Sequence, residues 1–103
     1  KWLALVDNAR YRDAYKAASR HSRSQATAEE WEAQIRALHE AAGAPRQRTF
    51  SSAKATRSLP GAPDGEYMIL EFSTAFEKKE KAVETLMMSR ESGAWKAAGY
   101  FIH

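Results

Sequence analysis

EYMILEFSTAF–EKKE–KAVETLMMSR–ESGA–WKAAGYFI, residues 66–102, is the stretch that decides the fold. Three runs of aromatic, β-branched and long apolar residues alternate with polar ones, the period of half-buried strands. Between them lie a charged turn, Glu77-Lys78-Lys79-Glu80, and the hairpin dipeptide Ser92-Gly93. Hairpin links of this length join antiparallel neighbours. The reading is strands over 66–76, 81–90 and 95–102.

Register follows from the turns. A two-residue loop at Ser92-Gly93 sets Glu91 opposite Ala94 and Met88 opposite Ala97. A four-residue turn after Phe76 sets Phe76 opposite Lys81. One face then holds Leu70, Phe72, Thr74, Val83, Thr85, Met87 and Tyr100. The other holds Tyr67, Glu71, Glu84, Leu86, Met88, Arg90 and Trp95. The first has fewer central charges and is assigned to the helices. The second, mixed face is a candidate pocket or partner surface. A one-residue slip exchanges the assignments.

Upstream the period changes. Residues 46–59 are Ser-, Thr- and Arg-rich, with Phe50 and Leu59 the large apolar residues, and read as a polar edge strand. Pro60-Gly61-Ala62-Pro63-Asp64-Gly65 is turn chemistry. Thr27 stands three residues before Glu30, a capping-box spacing, and opens a helix over 27–42 that Gly43 and Pro45 end. Trp2, Leu5, Val6, Tyr11, Ala14 and Tyr15 recur at helical spacing, so a helix over 1–19 is expected, kinked at Asp7-Asn8. His21 to Gln25 reads as a polar link. The fold class is α+β: two N-terminal helices packed on a four-stranded antiparallel meander, in one domain over 1–103.

Composition excludes several chemistries. The chain has 103 residues, 44% hydrophobic and 28% charged, which fits a globular domain rather than a disordered one. It has no cysteine, so disulfides, thiolate metal sites and cysteine nucleophiles are absent. No apolar run reaches membrane-spanning length. Residues 1–58 carry 11 basic and 6 acidic side chains, and 59–103 carry 5 and 7. Arg46, Arg48, Lys54 and Arg57 make the third segment basic, yet no interleaved aromatic platform accompanies them, and nucleic acid is not expected as a partner. His21, His39 and His103 show no metal-ligand spacing, and no metal or cofactor is expected. No serine sits in a nucleophile motif, so no catalytic triad is assigned.

Glu71 and Glu84 are the mid-strand carboxylates. Their ordinary role is solvation, or pairing with Arg90. Their enzymatic role is a base with a raised pKa in an apolar pocket roofed by Trp31. Candidate pocket or interface residues are Trp31, Tyr67, Glu71, Glu84, Arg90 and Trp95.

Several of these stretches together carry a resemblance. They are Trp2–Asp7 with Tyr11 and Tyr15, Trp31, the Leu59–Tyr67 turn, Phe72–Phe76 with Lys79, Glu84-Thr85, and the closing Trp95–Ile102. The chain resembles the bacterial family catalogued as domain of unknown function 4019, departing at Ala41-Ala42-Gly43. The resemblance implies a short exported protein, periplasmic or secreted, with a cystatin-like α+β fold of the nuclear-transport-factor-2 type. It carries over no catalytic residue. The expected function is a module that binds a small ligand or a protein partner without catalysis and forms a homodimer through a sheet face. The alternative is an acid–base enzyme using Glu71 or Glu84.

Overall fold

The computed structural model describes residues 2–59 and 63–103. The Pro60-Gly61-Ala62 part of the expected turn lies outside the described residues. Strands β1 (Pro45–Thr56), β2 (Tyr67–Phe76), β3 (Lys79–Glu91) and β4 (Ala94–Ile102) form one antiparallel sheet in the order β1-β2-β3-β4. The α+β meander is as read from the sequence, and β1 is an edge strand. It bends at two register shifts, between Pro45 and Gln47 and between Phe50 and Ser52.

The helices differ from expectation. Helix α1 (Trp2–Asp7) and α2 (Tyr11–Lys16) replace the single kinked helix. Asn8 donates its side-chain amide to the Ala4 carbonyl at 2.8 Å, closing α1. Ala9 then turns the chain with φ 59°, a left-handed conformation no helix continues through. The Trp2 indole donates to the Ala14 carbonyl at 3.0 Å and locks the two segments together. The expected polar link is itself a helix, α3 (Arg20–Gln25), because Ser19 caps it by accepting from the Ser22 amide. Only α4 (Ala28–Ala42) follows its expectation closely. Thr27 and Glu30 form both halves of the capping box, and Gly43 ends the helix at φ 81°.

The core lies between these helices and one sheet face. Trp2, Leu3, Val6, Tyr11, Ala14 and Ile35 pack on Leu86, Ala97 and Tyr100. A second cluster, Ala42 with Phe76 and Ala82, fastens the end of α4 to the sheet. Burial of each large apolar side chain contributes about 1.5–3 kcal/mol. The helices gather over β3 and β4, and Phe50 on β1 is left 58% exposed.

Register is the main correction. The β2–β3 turn has two residues, Glu77 and Lys78, and Phe76 pairs with Lys79 rather than Lys81. A register shift between Thr74 and Phe76 then puts one extra residue into β3, so Thr74 faces Ala82, Phe72 faces Glu84 and Leu70 faces Leu86. Beyond that bulge the net slip is one position, which moves the β3 side chains from Ala82 onward to the opposite face. Glu84, Leu86 and Met88 join Leu70, Phe72 and Thr74 under the helices. Val83, Thr85 and Met87 move to the outer face beside Glu71. The β3–β4 hairpin keeps its expected pairs, Glu91 with Ala94 and Met88 with Ala97. A shift between Met87 and Met88 then sets Leu86 opposite Tyr100, which keeps Tyr100 on the helix side.

Candidate functional site

The register slip places Glu84 at the centre of the molecule, 0% exposed. A side chain from each other strand reaches it. Arg48 on β1 donates from Nε to Oε1 at 2.6 Å and from Nη2 to Oε2 at 3.0 Å. Thr74 on β2 donates to Oε1 at 2.6 Å, and the Tyr100 hydroxyl on β4 donates to Oε2. The Arg48 guanidinium also donates from Nη1 and Nη2 to Asp7 at the end of α1, at 2.9 and 3.0 Å.

Burial pushes the Glu84 carboxyl up, but the hydrogen bonds from Arg48, Thr74 and Tyr100 and the Arg48 charge outweigh it and hold it below the usual range. Burial first, and then the hydrogen bond to Glu84, push the Tyr100 phenol up. The cluster is thus a carboxylate held ionised among donors, opposite to the raised-pKa base that acid–base chemistry asks of this residue.

Two grooves flank the helix layer. The first runs between α1 and the helix-facing side of the sheet, with a volume of about 570 Å³. Trp2, Leu5, Leu70, Phe72, Met88 and Trp95 line it, and among the described residues Lys96 is the charged one of its lining. It is open because α4 covers the β3–β4 side and leaves Leu70 and Phe72 only partly packed. The second, about 600 Å³, follows the edge of β4. Trp31, Gln34 and Ile35 border it on the helix side, and Met87, Gly99 and Phe101 on the sheet. Met87 occupies the space beside Gly99, where a Cβ would lie 2.6 Å from its Cε.

The sequence candidates do not converge on one site. Glu71 sits on the outer face, accepting from the Ser52 hydroxyl at 3.3 Å, so it does not share a face with Glu84. Arg90 pairs with Glu66 at 3.5 Å rather than with either mid-strand carboxylate, and its guanidinium lies 6.0 Å from the Trp95 ring centroid. Trp95 lines the α1 groove, 42% exposed. Trp31 and Tyr67 both line the β4-edge groove. Trp31 roofs no carboxylate: it packs edge-on against Trp2, and Glu84 lines neither groove. Tyr67 is buried and donates to the Pro63 carbonyl.

Sequence reasoning missed Arg48, Thr74 and Tyr100 as partners of Glu84, and Asp7 as the second partner of Arg48. One signal was present. Glu84 interrupts the alternation Ala82-Glu84-Leu86-Met88, and a charge in such a series demands a buried counter-charge. Arg48, two residues before Phe50 in a polar strand, is its match. With Arg48 turned inward, the basic residues of β1 do not form one continuous patch. His39 accepts or donates at Nδ1 with the Tyr11 hydroxyl, 2.6 Å away. Among the described residues no three His, Asp or Glu side chains converge as a metal set, and no helix is long and apolar enough to cross a membrane.

A comparison with curated protein sequences gave no match. The family described as "Protein of unknown function (DUF4019)" matches residues 1–100. The match spans both the α1 groove and the Glu84 cluster, and the chain belongs to the DUF4019 family.

Proposed function

We propose that the chain is a non-catalytic binding module, and that its site is the groove between α1 and the sheet. One observation carries the reading: an open groove of about 570 Å³ whose lining, among the described residues, is apolar apart from Lys96. Apolar walls with a single polar group that fixes orientation are the usual build of a small-molecule site. The lining fits an alkyl chain, and Lys96, the cation among its described residues, suits an anionic head group. A fatty-acid-like amphiphile is the ligand class this supports. Following the family resemblance, we place the module outside the cytoplasm, a reading that fractionation of the native host checks.

Trp95 on the groove wall supplies the readout. Titration with dodecanoate is expected to change tryptophan fluorescence saturably. Dodecyltrimethylammonium, with the opposite head charge, is expected to bind more weakly. Met88→Lys is expected to reduce dodecanoate affinity at least tenfold without changing the far-ultraviolet circular dichroism. Lys96→Glu is expected to reverse the head-group preference. A response that never saturates, or one indifferent to Met88→Lys, rejects the site.

A further inference from the structure

The two edges of the sheet are protected unequally. Edge strand β1 begins at Pro45, bends at two register shifts, and carries Arg46 and Lys54. Those are the devices by which natural sheets discourage strand addition. Edge strand β4 has a single register shift, at Ala98, and its last six residues, Ala97-Ala98-Gly99-Tyr100-Phe101-Ile102, are uncharged and free of proline. Phe101 is 48% exposed there.

Hydrogen bonding divides that edge in two. At its start, the Ala97 carbonyl accepts from the Ser19 amide at 2.7 Å, and the Ala98 carbonyl accepts from the Ser22 hydroxyl at 2.9 Å. Ala18 pairs with Ala97 as an isolated parallel bridge. The chain's own Ala18–Ser22 segment therefore covers the first part of the edge. Further on, His103 exchanges both backbone hydrogen bonds with Val83, at 3.2 and 2.9 Å. Antiparallel pairing alternates, so Phe101 and Gly99 also direct their backbone groups towards β3, and Tyr100 and Ile102 direct theirs outward. No partner for these outward groups occurs among the described residues. The groove of about 600 Å³ lies along this open stretch.

We propose that the open edge pairs with the same edge of a second copy, antiparallel, about a two-fold axis at Phe101. The spacing is self-complementary. The outward groups of Tyr100 meet those of the partner's Ile102, and the reverse, in two reciprocal pairs of hydrogen bonds. Phe101 then faces the partner's Phe101 across a non-hydrogen-bonded pair, where side chains approach most closely and aromatic pairs are favourable. Charge favours this edge over the other. The β4 seam sets no like charges against each other, whereas β1 self-pairing gathers Arg46 and Lys54 with their copies. Segment Ser19–Ser22 stops the pairing at Ala98, which confines it to Gly99–His103 and fixes its register. The outer sheet face, the surface expected from sequence, is less suited because Glu71, Ser73 and Lys54 interleave with Ile69 and Met87. A five-residue seam falls below the roughly 1,200 Å² of a stable standard interface, so the dimer is weak and reversible.

Sedimentation velocity on the whole chain over a wide concentration range tests the proposal. The expected result is a monomer at low concentration that becomes a dimer as concentration rises. Ile102→Pro removes only an outward amide, so it leaves the β3 ladder intact while abolishing the dimer. Phe101→Lys provides a second block by setting two cations face to face. Both variants are expected to keep the wild-type melting temperature within a few degrees. Ile69→Lys, on the outer face away from the seam, is expected to dimerise as the wild type does. A wild type that stays monomeric at every concentration overturns the proposal. So does a dimer that Ile102→Pro and Phe101→Lys leave intact, or one that Ile69→Lys removes.

Discussion

One guanidinium, Arg48, bridges Glu84 at the centre of the sheet and Asp7 at the end of α1. Glu84 is 0% exposed, and a single cation stands between two carboxylates. The surplus negative charge is met by the hydroxyls of Thr74 and Tyr100. Every strand contributes a side chain to Glu84, and the guanidinium ties the first helix to them. A buried charge is costly to desolvate, and it persists where its hydrogen bonds and its counter-charge are complete.

Removal of one partner is therefore more damaging than removal of both. Glu84→Gln is expected to cost about 3 kcal/mol, because Arg48 keeps its charge with only Asp7 to balance it. Tyr100→Phe deletes one donor and is expected to cost about 1–2 kcal/mol. The double variant Arg48→Met with Glu84→Leu is expected to lose less than the two single losses added together. Urea midpoints of the wild type, Glu84→Gln, Tyr100→Phe, Arg48→Met, Glu84→Leu and the double variant, with m values compared, check this.

The same group sets a pH dependence. The Glu84 carboxyl is lowered from its ordinary 4.5 in the folded chain. Its stabilisation is then fully present above that value and is lost as pH falls through the lower folded pKa. The stability gap between wild type and Glu84→Gln is expected to be flat near neutrality and to narrow below about 4.5. Denaturant titrations in steps from pH 7 downward measure it. A gap that widens in acid contradicts the sign.

Glu71 offers the contrast that tests the register. It lies on the outer face and pairs with Thr85 across the strands. Glu71→Gln is expected to change stability by no more than about 0.5 kcal/mol. A loss as large as that of Glu84→Gln would place it under the helices instead.

The β3–β4 hairpin holds Ser92 at φ 50° and Gly93 at φ 79°, the paired left-handed conformations of a two-residue turn. Serine is a poor occupant of the first position, where asparagine is at ease. Ser92→Asn is expected to raise the melting temperature slightly, and Gly93→Ala to cost roughly 1–2 kcal/mol. Thermal scans of both variants check the pair.

Much of the architecture was legible because it rests on local chemistry. Thr27 and Glu30 are close in the chain and complete each other whatever the surroundings, so the start of α4 is readable. Gly93 marks its hairpin for the same reason. The break between α1 and α2 was only half legible: Asp7-Asn8 marked the place, but the left-handed turn at Ala9 carries no glycine to announce it. Helix α3 was missed because Arg20–Gln25 has no apolar stripe, and its stability comes from the Ser19 cap and from Ser22 bonding to Ala98. The candidate residues were read as one mixed sheet face with Trp31 as its roof, yet Trp95 borders one groove, Trp31 and Tyr67 another, and Glu71 neither.

By itself, the sequence determined the α+β class, the antiparallel meander, the capped fourth helix and the exclusion of cysteine chemistry. Each of these is decided by residues close in the chain, through turn geometry, capping and periodicity. Only the tertiary structure decided which face of β3 lies inward. One extra β3 residue lies between the pairs Phe76–Lys79 and Thr74–Ala82, and the side-chain period of two converts that single bulge into opposite faces. With that bulge, Phe76 and Ala82 pack under α4 while Glu84 reaches Arg48, Thr74 and Tyr100. The energy that selects the register thus resides in contacts between residues distant in sequence.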